Sequence, residues 1–157
     1  MRTLCVLLTL FLVPIVSGCS NLPDGDWGDP QNVARYSEDV KFFVKIGTRI
    51  ALEETAIEPE QTEPLLQYFQ AATELLLDPE GPSFDAARAL ALAQLDDDRY
   101  RYVATAVIDV IERYAASHLA ELGDNLGPLQ VILGAAVDGA IEALTEFRDG
   151  ARGNTSK

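Results

Sequence analysis

The chain has 157 residues, with 12 Lys and Arg against 25 Asp and Glu and a formal net charge of −13. So acidic a chain is repelled by phosphate, which argues against nucleic acid and anionic lipid headgroups as partners. Its two cysteines, Cys5 and Cys19, both lie near the N-terminus and are too few for a disulfide framework.

Met1 and Arg2 give a positive start to an apolar stretch, Leu4 to Val16, of 13 residues. This is the layout of an export signal, and it falls short of the roughly 20 residues that a membrane span needs. It runs into Val16-Ser17-Gly18-Cys19, which resembles the lipobox of bacterial lipoproteins. The resemblance implies that residues 1–18 are cleaved off as a signal peptide. It also implies that the Cys19 sulfur takes a diacylglycerol and that the new terminal amine is acylated. Each buried CH₂ of such chains contributes about 0.8 kcal/mol, so three chains give effectively permanent attachment. The expected address is the bacterial cell envelope. Ser20 stands where Asp commonly favours inner-membrane retention in that family, so the expectation leans to the outer membrane, with the face left open. Cys5 would leave with the signal, and no intramolecular disulfide could then form.

Residues 19–29 form the lipidated cysteine and a Pro/Gly/Asp-rich tether, and ten residues reach at most ~35 Å. Asp24-Gly25-Asp26-Trp27-Gly28-Asp29 resembles a fragment of a calcium loop. Gly28 at its fifth place, Asp29 at its sixth and Arg35 at its twelfth break the EF-hand pattern. No metal or other cofactor is expected.

Asp29-Pro30 reads as an N-cap with proline at the first helical position. Val33, Tyr36, Val40, Phe43, Gly47, Ile50 and Ile57 then recur at helical spacing and predict one inward face. After a break at Glu58-Pro59, a second helix runs to about Leu77, with Leu65, Leu66, Phe69, Leu76 and Leu77 in the core. Asp78-Pro79-Glu80-Gly81-Pro82 is a turn, and Ser83 caps a short helix from Phe84 to Leu95. Asp96-Asp97-Asp98 caps a fourth helix, Arg99 to Leu122, expected to be central, with Val103, Val107, Val110, Ile111, Tyr114 and Leu119 inward. Arg99-Tyr100-Arg101-Tyr102 is read as its start and not as a base-stacking patch. Gly123-Asp124-Asn125 closes it. A fifth helix follows to Arg148, with Leu129, Ile132, Leu133, Ala136, Ala140, Leu144 and Phe147 inward. Asp138 and Glu142 argue against its being a second membrane span. The fold class predicted is all-α: a single bundle of four to five helices over residues 30–149, followed by a disordered tail over 150–157. Asn154-Thr155-Ser156, a formal glycosylation acceptor, is read as chance.

Two charge stripes stand out. Lys41, Lys45 and Arg49 recur every fourth residue on the first helix; Asp138, Glu142, Glu146 and Asp149 follow one another at steps of four, four and three on the last. Projected on ideal helices, both lie opposite the predicted inward faces, so they are expected to point outward and to be available to another molecule. His118, the only histidine, shares a face with Val107, Ile111 and Tyr114. Without a zinc-binding spacing or a neighbouring nucleophile it reads as a hydrogen-bonded histidine of the bundle.

The function expected is therefore non-enzymatic: a helical interaction module, held to the membrane through lipid on Cys19, contacting an envelope protein or a second copy of itself. Length and helical body are also similar to small lipoproteins of phages or prophages, some of which exclude superinfecting phage. That likeness carries over no residue beyond Cys19. The alternative is a ligand-binding or enzymatic bundle centred on His118.

Overall fold

The computed structural model describes residues 29–122 and 126–154, without the side chains of 117–122 and 151–154. The expected signal peptide over residues 1–18, Cys19, the expected tether up to Gly28, Gly123-Asp124-Asn125 and residues 155–157 lie outside them. The described residues form an all-α bundle: α1 (Pro30–Glu54), a 3-10 turn (Pro59–Gln61), α2 (Glu63–Leu76), α3 (Phe84–Gln94), α4 (Asp98–Leu122) and α5 (Leu126–Asn154). α5 continues past Gly150, beyond the point at which the sequence suggested a tail.

The helix boundaries follow local chemistry. The Asp29 carboxylate accepts the Gln31 backbone N–H at 2.9 Å, with Pro30 in the first turn. At the other end of α1, Ala56 takes the left-handed conformation at φ 51°. The Ile57 N–H then reaches the Leu52 carbonyl and the Ala56 N–H reaches that of Glu53, the paired bonds of a Schellman cap. Ile57 and Leu52, the residues such a cap brings together, are both buried in the core. Pro59 opens the 3-10 turn and Pro64 falls in the first turn of α2, so neither breaks a helix. In the next turn, Asp78 accepts the Glu80 N–H, and Gly81 adopts φ +126°, a conformation that strains any other residue. Ser83 occupies the N-cap position of α3, but its hydroxyl makes no capping bond.

One continuous core joins all five helices. Tyr68, fully buried on α2, donates its hydroxyl to the Ala87 carbonyl of α3 at 3.0 Å, and burial pushes its ionisation up. Arg88 of α3 bridges to Asp109 (2.8 Å) and Glu112 of α4 and to Asp85 of its own helix. α4 packs against each of the other four helices, and Phe43 of α1 stacks on its Tyr114 at 6.3 Å. The most extensive interface joins α1 and α5, the first and last helices, which run in the same direction.

That interface is narrow because of Gly139. A methyl group there would overlap the Lys41 carbonyl oxygen and stand 3.2 Å from Lys41 Cα. Ala136, Ala140 and Ala143 flank it, all buried, so the two backbones meet across small residues. The inward strip of α1 is Val33, Tyr36, Ser37, Val40, Val44, Thr48, Ala51 and Leu52. Phe43, Gly47 and Ile50, expected inward, are displaced in favour of their C-terminal neighbours, a rotation of about 100°. Phe43 and Gly47 are half-buried, and Ile50 is exposed. The hydroxyls of Ser37 and Thr48 are satisfied by the Ala34 and Val44 carbonyls, so neither is buried without an acceptor.

Two glycine substitutions separate close packing from helix propensity. Gly139→Ala is expected to lower stability by about 1–3 kcal/mol through overpacking. Gly47→Ala, where an added carbon meets nothing within 4 Å, should raise it by up to about 1 kcal/mol. Urea unfolding of both beside wild type reads the two signs; equal stabilisation by both would contradict the close approach of Gly139 to Lys41.

Candidate interaction surface

The rotation of α1 decides where its charges go. Lys41 and Lys45 each follow a buried valine, Val40 and Val44, so they flank the buried strip and lean over α5. Glu142 and Glu146 flank Gly139 and Ala143 on α5 in the same way. The result corrects the expectation that both stripes point outward. Lys41 Nζ lies 2.9 Å from Glu142 Oε2, and Lys45 Nζ lies 2.7 Å from both Glu142 Oε1 and Glu146 Oε1. Basic and acidic stripes neutralise one another within the molecule. Arg49 pairs along its own helix with Glu53 at 3.6 Å, and Asp138 adds its field to Lys41. Asp149 accepts from Arg148 at 3.4 Å, while Arg148 also reaches Glu63 at 3.2 Å.

The pairs shift each other's protonation in the direction of charge. Hydrogen bonds from Lys45 and then Lys41 pull the Glu142 carboxyl down to about 2, and both ammonium groups are held above their ordinary value by Glu142. With both stripes engaged, the α5 carboxylates also have partners inside the bundle. By length and composition α5 could cross a membrane over Leu126–Gly150, with a mean hydropathy of 1.3. In the structure that apolarity lines the core, with α1, α2 and α4 packed around it.

A different surface is left open. Phe42, Ile46 and Ile50 are 58%, 41% and 42% exposed and follow each other at intervals of four on the outer face of α1. The other large exposed apolar residues among those described, Leu92, Tyr102 and Val131, fall one each on α3, α4 and α5. Large apolar side chains scattered singly are ordinary, but three in line on one helix form a stripe. Glu38 and Asp39 stand one turn before it and Glu53 and Glu54 one turn after, all exposed. The four-residue spacing was visible in the sequence, yet assigning Ile50 inward hid the stripe.

Other sites anticipated from sequence are distributed as follows. Val16, Ser17, Gly18 and Cys19 lie outside the described residues. His118 lies in α4, with its side chain outside them; Val107 and Ile111 on its face are buried and Tyr114 is half-buried. Arg99 is held by Asp97 at 2.7 Å, and Arg101 by Asp98 at 2.9 Å and by the Leu95 carbonyl at 2.6 Å, so both arginines serve the start of α4. Among the described residues, no three His, Cys, Asp or Glu side chains stand together as a metal site. The Arg88 cluster escaped sequence reading because its partners on α4 are 21 and 24 residues away.

The acid side of the Lys–Glu network gives a signed test. The Glu142 carboxyl titrates below its ordinary 4.5, so its contribution is complete above that pH and is lost as pH falls toward 2. Glu142→Gln should therefore melt below wild type at pH 7, with the gap closing as the pH drops through that range. Thermal scans at several pH values check this, and a gap that does not change with pH would contradict the pairing.

No protein-family model, no curated protein and no solved structure matches this chain.

Proposed function

We propose that the chain is a lipoprotein of the bacterial cell envelope, a helical module that works by contacting another protein and not by catalysis. The observation carrying this reading is Val16-Ser17-Gly18-Cys19 behind the apolar stretch Leu4 to Val16. Three acyl chains at Cys19 would supply attachment, leaving the helical body free of any need to bind lipid itself. The strong acidity fits the same division of labour, since anionic headgroups repel such a surface. Ser20 favours the outer membrane. An exposed apolar stripe on the first helix after the tether gives the module a surface with which to bind.

Intact-mass analysis and membrane fractionation of wild type beside Cys19→Ser test the anchor. The expected result is a wild type cleaved before Cys19, triacylated there and found with the outer membrane, and a variant that is neither acylated nor retained. Identical, soluble products from both would remove the lipoprotein reading.

A further inference from the structure

The outer face of α1 combines an apolar stripe with acidic ends. Phe42, Ile46 and Ile50 span about 12 Å of helix, and the carboxylates from Glu38 to Glu54 bracket them over about 24 Å. Lys41 and Lys45, the cations nearest the stripe, are already engaged by Glu142 and Glu146. Arg49 is taken up by Glu53. Glu38, Asp39 and Glu54 engage no cation among the described residues, and Arg35 stands one turn beyond the stripe's N-terminal bracket. Internal pairing has thus consumed the positive charge of Lys41, Lys45 and Arg49, so the carboxylates of Glu38, Asp39 and Glu54 outnumber Arg35, the cation left beside this face.

We infer that the face receives an amphipathic helix of a partner protein, one whose apolar strip is bracketed at both ends by Lys or Arg. Apolar side chains at intervals of four are the anchors by which one helix lies along another, and end charges set which helix is accepted. A second copy of this chain fits poorly. Packed antiparallel about Ile46, it would set Glu53 against Asp39 and Glu54 against Glu38 of the other copy; packed parallel and in register, each carboxylate would face itself. A bilayer fits poorly too. Helices that lie on membranes carry Lys and Arg beside the apolar face, whereas this one would press carboxylates into the headgroups. The inference rests on the interaction-module reading and is independent of acylation at Cys19.

The test uses the full chain, purified from expressing bacteria into phosphatidylcholine nanodiscs where it is membrane-bound, and two labelled synthetic helices. Both peptides carry leucines at three positions spaced by four; one has lysines at both ends and the other glutamates. Fluorescence anisotropy should show saturable binding of the lysine-flanked peptide at least tenfold tighter than its glutamate counterpart, weakening as salt rises. Ile46→Asp should lower that affinity at least tenfold with helix content and melting unchanged, and Ile46→Ser should do so without adding charge. The double variant Glu38→Lys/Glu54→Lys should narrow or reverse the preference between the peptides. Equal binding of the two peptides, no binding of either, or binding unaffected at Ile46 overturns the inference. So does a dimer in sedimentation that Ile46→Asp dissolves, which assigns the face to a second copy. Binding of the Cys19→Ser chain to phosphatidylcholine vesicles, if abolished by Ile46→Asp, assigns it to lipid. Failure of acylation appears only in mass and fractionation, so the two readings fail separately.

Discussion

The close approach of Gly139 on α5 to the backbone of Lys41 on α1 is the contact on which the arrangement of charge and apolar surface depends. Two helices can meet this closely only across small residues, and Ala136, Ala140 and Ala143 extend the flat strip that permits it. Once the backbones touch there, the rotation of α1 is fixed. Val40 and Val44 turn inward, Lys41 and Lys45 lean over Glu142 and Glu146, and Phe42, Ile46 and Ile50 are left facing away. A charge network and an exposed stripe therefore share one steric cause. The ion pairs themselves are partly solvated, so they tune register and acid sensitivity more than they hold the helices together.

The remainder of the bundle supports that pair. α2 and α3 form a hairpin fastened by the Tyr68 hydroxyl on the Ala87 carbonyl, and α3 is fastened to α4 by Arg88. Both links are polar groups near buried surface, and each finds a partner, which keeps the cost of burying them low. α4 then touches every other helix and stacks Tyr114 on Phe43, closing the bundle behind α1. Among the described residues, nothing covers the outer face of α1, the helix that follows the expected tether.

Much of the fold was legible because helix starts and stops are local. Asp29-Pro30, the Asp78–Pro82 turn and the aspartates before α4 announce themselves within a few residues, and the absence of alternating patterns pointed to an all-α bundle. The facing of α1 was not legible in the same way. Val44, Thr48 and Ala51 are smaller than Phe43 and Ile50, so a hydrophobicity pattern ranks the wrong neighbours inward. What overrides it is the glycine 98 residues away from Lys41. The pairing of the two stripes was hidden for the same reason, since each was projected on its own helix without the other. The Ala56 cap was likewise unannounced, because a left-handed alanine leaves no signal where glycine would.

The most direct measurement is proton NMR of the full chain, reading the nuclear Overhauser contact between the α-protons of Gly139 and Lys41. A strong cross-peak between them is the expected result, since a side-chain carbon at Gly139 would stand only 3.2 Å from Lys41 Cα. A spectrum in which both residues are assigned and folded but share no such contact would contradict the packing. The intramolecular pairing of the stripes and the outward facing of Phe42, Ile46 and Ile50 would fall with it.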